Sequence, residues 1–157
     1  AYKSLLGELQ IEVSLRDPAG RIMNNSGNYL FVDSTGHKFP VQSGSVANVL
    51  LIRGDFEEGV VDTFACSTIE SAMPLVNFIR KDAFWDAQIA EIIIQQSGEV
   101  LLQPQIGNQR IEFGYPVEIE DKFQNLLDFY RQVLPERGWD HYRTINLKYR
   151  GQVVAKR

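Results

Sequence analysis

Thiols and imidazoles are scarce in this chain of 157 residues, which contains one cysteine and two histidines. Cys66 has no second cysteine, so it can form neither a disulfide within the chain nor a cysteine metal set, and it is interpreted as a buried, inert thiol. The histidines, His37 and His141, lie far apart in sequence and no motif joins them. The composition therefore predicts no metal site and no cofactor.

Long apolar runs and blocks of like charge are also missing. A membrane-spanning helix needs about 20 predominantly apolar residues, and no stretch of this chain approaches that length. The net charge of −4 arises from 16 basic and 20 acidic residues that are well mixed, so a nucleic-acid or membrane-surface patch is not indicated. Because the chain opens on Ala1 just before a strand-like segment, we expect a piece of a longer protein, from which a targeting or membrane segment could have been removed.

Sequence motifs for catalysis are absent as well. There is no glycine-rich phosphate loop and no Gly-x-Ser-x-Gly elbow, and Cys66 has no recognisable catalytic partner. Two acidic clusters are interpreted as solvated charges of a loop and of a helix start: Glu57 with Glu58, and Glu118 with Glu120 and Asp121. Two aromatic groups are interpreted as core residues rather than sugar-stacking platforms: Phe84 with Trp85, and Trp139 with Tyr142. These residues predict a protein that is not an enzyme.

An amphipathic helix near the C-terminus is the clearest element of the sequence. Six apolar residues recur at spacings of three and four: Phe123, Leu126, Leu127, Tyr130, Val133 and Leu134. Pro116 and the acids after it are typical of a helix start, and Pro135 is predicted to end the helix. The pattern predicts a helix over about residues 119–134.

Strand patterns fill most of the remaining chain. Strands are predicted over residues 8–16, 21–23, 29–33, 38–41, 49–53, 89–96, 100–103 and 109–113. Residues 34–37 are predicted to form a hairpin turn, in which Gly36 can take a positive φ. An earlier helix is predicted where Ser67 has capping-box spacing to Glu70, with a kink or late start at Pro74. Because most strands follow one another without crossover helices, we predict an α+β fold, a mostly antiparallel sheet with two helices on one face.

The last strand pattern reaches the C-terminus of the chain. Ile145, Leu147 and Tyr149 alternate with polar residues, as in a strand with one buried and one solvated face. Residues 153–155 continue the pattern, so residues 142–155 are predicted as the terminal strand, with the three alternating side chains turned toward the preceding helix. An open sheet edge of this kind can accept a strand from a partner protein.

Four segments in this order carry a resemblance to a known family. They are GELQIEV (7–13) with RDPAGRI (16–22), YLFVDSTG (29–36), FG (113–114) ahead of KFQNL (122–126), and INLKY (145–149). From about Gly7 to its end, the chain resembles the extracytoplasmic region of the bacterial cell-division family FtsQ, called DivIB in some lineages, in its Bacteroidetes-like form. Residues 1–17 look like the end of a POTRA domain, and residues 18–157 look like the FtsQ-type β domain.

The resemblance implies a non-enzymatic divisome scaffold in the periplasm, held in the inner membrane by one upstream transmembrane helix. Members of the family regulate septal peptidoglycan synthesis by binding FtsB-like and FtsL-like proteins, and the last strand of the β domain supplies the FtsB site by β-strand addition. Carried over residue by residue, the partner-binding positions are Lys148, Tyr149, Arg150, Gly151, Gln152, Val153, Val154 and Ala155. The chain departs from the family at two positions, because Asn146 replaces the usual acid and Lys156 replaces an aromatic found in some relatives.

Two other classes of protein stay open. A POTRA-type module of an outer-membrane assembly or secretion system would use its sheet edge to guide substrate strands, although the sequence contains no second POTRA copy. A glycan-acting enzyme would need a convergent acid pair or metal set, which binding or turnover of cell-wall fragments would reveal.

Overall fold

The computed structural model describes residues 2–3, 9–10, 16–23, 27, 29–41, 49–54 and 66–157. Its strands are β1 (Tyr2–Lys3), β2 (Leu9–Gln10), β3 (Gly20–Met23), β4 (Tyr29–Val32), β5 (Lys38–Pro40), β6 (Leu50–Gly54), β7 (Ile89–Ile94), β8 (Val100–Pro104), β9 (Arg110–Gly114), β10 (Thr144–Asn146) and β11 (Val154–Lys156). Its helices are α1 (Cys66–Lys81), α2 (Ala83–Gln88), α3 (Ile119–Gln132) and α4 (Leu134–Arg137), followed by a 3-10 turn (Trp139–His141). Most of the predicted strand over residues 8–16 lies outside the described residues.

Nine of these strands form one mixed sheet in the order β11-β10-β9-β8-β7-β6-β3-β4-β5. Five of its eight pairings are antiparallel, whereas β3–β6, β6–β7 and β9–β10 are parallel. Parallel neighbours need a crossover connection, and the helices supply two of them, α1 with α2 between β6 and β7 and α3 with α4 between β9 and β10. The predicted α+β fold with a mostly antiparallel sheet is confirmed.

The helices pack against one face of this sheet and enclose the core. On the sheet side, one buried residue comes from each of six strands: Ile22, Ile52, Ile92, Leu102, Ile111 and Ile145. On the helix side, the buried ring of Phe123 in α3 meets three other rings, with centroids 4.9, 4.7 and 5.4 Å away: Phe78, Trp85 and Phe113. These contacts join α1, α2, α3 and β9 into one apolar layer, so the two crossover units share a single core. None of the described helices has the length and apolar character needed to cross a membrane.

The helix boundaries differ from the prediction at the expected cap, Ser67, and near Pro135. The described part of α1 already includes Cys66, so Ser67 lies within the helix instead of capping it, and Pro74 lies inside the helix without ending it. Helix α3 ends at Gln132, and Pro135 lies in the first turn of α4. A proline is tolerated there because a first-turn N–H has no acceptor within the helix.

The C-terminal segment is a hairpin, so the prediction of one strand over residues 142–155 is wrong. β10 and β11 pair antiparallel, with Ile145 opposite Ala155. The chain reverses where the Gln152 N–H donates to the Tyr149 carbonyl oxygen at 3.2 Å and Gly151 takes φ 66°, which a residue with a side chain rarely adopts. As a result Tyr149 is 59% exposed instead of buried in the core against α3.

Candidate functional site

Two strands form the edges of the described nine-stranded sheet, β5 at one side and β11 at the other. β5 ends in Pro40, which lacks an N–H and discourages pairing with another chain. β11 contains no proline. Since the predicted partner-binding residues fall on the turn before β11 and on β11 itself, this edge is the candidate functional site.

The backbone hydrogen bonds between β9 and β10 determine how β10 faces its neighbours. The Arg110 N–H donates to the Arg143 carbonyl at 2.8 Å, and the Leu147 N–H donates to the Glu112 carbonyl at 2.9 Å. Backbone groups of successive residues in a strand point to opposite sides. Within β10, Ile145 therefore directs its N–H and C=O groups toward β9, and Thr144 and Asn146 direct theirs toward β11.

The same alternation identifies the free backbone groups of β11. Val154 and Lys156 lie opposite the even-numbered residues of β10, so their backbone groups are used within the sheet. Ala155 lies opposite Ile145, and its N–H and C=O point away from the sheet. The side chain of Ala155 is partly buried against the core on the face covered by α3. A partner strand would thus meet an outward donor and acceptor at Ala155.

The side chain of Lys148, a predicted contact residue, is engaged within the domain. Its Nζ donates to Glu99 Oε2 at 2.7 Å, and this hydrogen bond raises the pKa of Lys148 above its ordinary value. Its stem lies over Gly114, where an added Cβ would come within 3.0 Å of Lys148 Cγ. Lys148 therefore joins the turn between β7 and β8 to the C-terminal hairpin.

Asn146 occupies its position beside a carboxylate. Its Nδ2 donates to Glu112 Oε2 at 2.5 Å, and its Oδ1 accepts the Lys148 N–H at 2.9 Å. An aspartate would still accept the second hydrogen bond, but it would place two carboxylates side by side across the β9–β10 pair. The neighbouring Glu112 explains why an amide suits position 146 in this chain.

Asn146→Asp is accordingly expected to destabilise the domain by about 1 to 2 kcal/mol near neutral pH, because it replaces a donor with a second negative charge. The repulsion raises the folded-state pKa of the introduced carboxyl above its unfolded value of about 4, so the loss is full above that raised pKa, shrinks as the pH falls toward 4 and vanishes below it. Thermal melts of parent and variant across this pH range measure the difference.

A matched control for this substitution is Gln124→Glu. The Gln124 Nε2 donates to Asp128 at 3.1 Å on the exposed surface of α3, so the same chemical change occurs in solvent and its effect is expected to be smaller. Equal losses for the two variants would contradict the special role of the Asn146–Glu112 pair.

A cleft of about 220 Å³ runs between the start of α3 and the turn of the C-terminal hairpin. Glu118, Lys122, Tyr149 and Arg150 are among its lining residues. Arg150 Nε lies 3.4 Å from Glu118 Oε1, a solvated ion pair of small energetic value. Glu118 takes a left-handed backbone conformation with φ 52°, which costs a residue with a side chain about 1 kcal/mol or more. The turn of the hairpin therefore lies next to the start of α3, while Tyr149 stays exposed.

Lys122 is a buried residue that lines this cleft. Its Nζ donates to the carbonyl oxygens of Phe113 at 3.0 Å and Tyr115 at 2.8 Å, and it lies 4.6 Å from the centre of the Phe113 ring. Burial lowers the pKa of Lys122 below its ordinary value. The residue ties the end of β9 to α3. Sequence reasoning missed this role, although Lys122 lies four residues before Leu126 and hence on the apolar face of the helix.

The remaining candidate residues that the structure describes lie in separate parts of the fold. His37 lies in the turn between β4 and β5, whereas the His141 Nε2 accepts from Arg157 at 3.0 Å near the other edge. Among the described residues, no group of three or more His, Cys, Asp or Glu could hold a metal. Trp85 is a core residue as predicted, but Phe84 and Trp139 are exposed in part. The acids at residues 57–58 and the side chain of Cys66 lie outside the described residues.

Comparison with known proteins assigns the chain to a family. No curated protein matches the chain. A family model described as "FtsQ/DivIB, C-terminal related" matches residues 17–156, a range that contains the whole nine-stranded sheet and ends with β11. Proteins of the FtsQ/DivIB type are associated with the cell-division machinery and are generally non-catalytic scaffolds. The chain belongs to the FtsQ/DivIB C-terminal related family.

Proposed function

We propose that this domain is a non-enzymatic divisome scaffold that binds FtsB-like and FtsL-like proteins in the periplasm and thereby regulates septal peptidoglycan synthesis. The observation that carries the proposal is the outward N–H and C=O of Ala155 on the edge strand β11. An extended segment of the partner adds there as the next strand, with main-chain hydrogen bonds providing affinity. Family membership supports the association with the divisome.

The side chains around β11 favour such an addition. Tyr142, Val153 and Ala155 are partly buried against the margin of the core, so a further strand on this side would remove more of their apolar surface from water. Tyr149 is exposed beside the strand and offers a large ring of the kind that often anchors protein interfaces. The opposite edge of the described sheet lacks this combination because β5 ends in Pro40.

The organisation of the longer protein is also a proposal. We infer that residues 1–17 belong to the end of a POTRA domain and that residues 18–157 form the β domain. The pairing of β1 with β2 outside the nine-stranded sheet and the start of the family match at residue 17 support this division. A single upstream transmembrane helix in the inner membrane is part of this proposal, and only the family match supports it. The family match makes a POTRA-type secretion module the weaker alternative.

Amide hydrogen exchange during titration with the periplasmic region of the FtsB-like protein tests the proposal. In the free domain, the Ala155 amide is expected to exchange quickly, whereas the Val154 and Lys156 amides are protected by β10. Addition of the partner strand is expected to slow exchange at Ala155 selectively. Saturable binding that leaves Ala155 exchange unchanged would place the partner elsewhere on the domain, and absence of binding would contradict the proposed function.

A further inference from the structure

Four basic residues lie near the C-terminal end of β11 in the sheet, and we call Arg110, Arg143, Lys156 and Arg157 the basic end. Their backbones are neighbours across three strands, since the Arg110 N–H donates to the Arg143 carbonyl and the Arg143 N–H donates to the Lys156 carbonyl, both at 2.8 Å. All four residues are exposed. Among the described side chains none of them forms an ion pair with a carboxylate, and Arg157 donates to His141 instead.

The other end of the same edge is arranged differently. There Lys148 is paired with Glu99 and Arg150 with Glu118, so each cation at the turn has an acidic neighbour. In a chain of net charge −4, a cluster of four cations without a carboxylate partner in the described part is unusual, and neighbouring like charges on adjacent strands are destabilising. Among the described side chains the edge strand is therefore polarised, with cations that lack a carboxylate partner at its C-terminal end.

An exposed aromatic residue borders the basic end. Trp139 is 42% exposed and packs edge-on against Tyr130, with ring centroids 5.3 Å apart. The side-chain amide of Gln109, the residue before Arg110, is buried and donates to the Trp139 carbonyl, which fixes the backbone below the indole ring. Tryptophan together with arginine is the composition of protein-interface anchors, so a protein segment suits this surface.

We propose that the partner segment added at β11 carries acidic side chains at the end that lies over Arg143, Lys156 and Arg157, and that this charge match sets the direction in which the segment runs. The inference rests on the proposed function, because it concerns the segment that pairs with β11. The basic end continues the edge strand itself, so one extended segment reaches both. Complementary charge of this kind mainly accelerates association and selects the orientation.

The test compares Lys156→Glu with Lys81→Glu in the same chain. Both lysines are exposed, but Lys81 lies in the last turn of α1, and both variants change the net charge equally. The probe is the purified periplasmic region of the FtsB-like protein, measured by association and dissociation kinetics at low and high salt. For Lys156→Glu we expect a roughly three- to tenfold slower association at low salt, a nearly unchanged dissociation rate, and a difference that fades in 1 M salt. For Lys81→Glu we expect parental kinetics.

Single acidic residues of the partner are then changed to glutamine to identify the carboxylate that faces Lys156. For that residue, the effect on the association rate should not add to the effect of Lys156→Glu in a double-mutant cycle. Equal kinetics for the parent and Lys156→Glu overturn the inference and leave the proposed function standing. Absence of binding by the parent overturns both. If Lys156→Glu lowers affinity for phosphatidylglycerol vesicles but leaves the kinetics with the partner unchanged, the basic end is a membrane contact. This result also overturns the inference.

Discussion

Leu147→Asp is expected to unfold the domain at room temperature. Leu147 is 2% exposed and belongs to the core, and its backbone N–H is bound to the Glu112 carbonyl, so the side chain cannot turn to solvent without breaking the β9–β10 pair. A buried carboxylate without a partner costs several kcal/mol, and the whole stability of a domain is about 5 to 15 kcal/mol. Circular-dichroism melts at neutral pH measure the loss.

The control for this variant is Tyr149→Asp, which introduces the same side chain two residues later. Because Tyr149 is exposed in the turn of the hairpin, this change is expected to alter the free energy of unfolding by no more than about 0.5 kcal/mol. The pair also separates the hairpin from a single long strand, in which both positions would face α3. A parental melt for Leu147→Asp, or unfolding by Tyr149→Asp, would show that the end of β10 is packed differently.

Ala155→Pro is expected to abolish binding of the FtsB-like partner while the domain stays folded. Proline removes the outward N–H of Ala155, and its ring occupies the space that the partner backbone would take. The N–H groups of Val154 and Lys156, which pair with β10, are retained. An unmade main-chain hydrogen bond at a buried interface costs about 1 to 3 kcal/mol, and the steric clash adds to it, so affinity should fall at least about a hundredfold in a calorimetric titration.

Two further variants decide whether edge pairing is responsible. Val154→Pro removes an N–H that β10 uses, so it should lower the melting temperature more than Ala155→Pro does. Ala155→Val keeps the outward N–H and has a higher strand propensity, so it should bind like the parent. If Ala155→Pro folds and binds with parental affinity, strand addition at β11 is wrong.

The eight predicted partner-binding residues illustrate what local pattern can and cannot supply. The alternation of Ile145 and Leu147 placed both residues correctly in the core, because burial on one face of a strand leaves a two-residue period in the sequence. The same period extended through Tyr149, but Gly151 reverses the chain. The partner-binding role of residues 148–155 stays a prediction, while the structure assigns residues 149–152 to a turn and residues 154–155 to the edge strand.

The ion pair between Lys148 and Glu99 could not be predicted from the residues next to Lys148 in the sequence. Glu99 lies 49 positions away along the chain, and only the folded sheet brings it within 2.7 Å of the lysine. The same holds for Asn146 and Glu112, which meet across the parallel β9–β10 pair. Such contacts depend on strand order, which leaves no periodic signal in a single sequence.

By itself, the sequence determined several elements and their class. Periods of 2 and 3.6 residues predicted the meander of β7 to β9 and helix α3, and glycine in a turn pattern predicted the hairpin at Gly36. These signals are local properties of the chain. Only the tertiary structure decided that β6 lies between β3 and β7 in parallel pairs and that β10 joins β9. These neighbours are separated along the chain by β4 with β5, by α1 with α2, and by α3 with α4. The edge at β11 and its polarised charge follow from that strand order, since exposure of a backbone N–H depends on which strand lies beside it and not on which residue carries it.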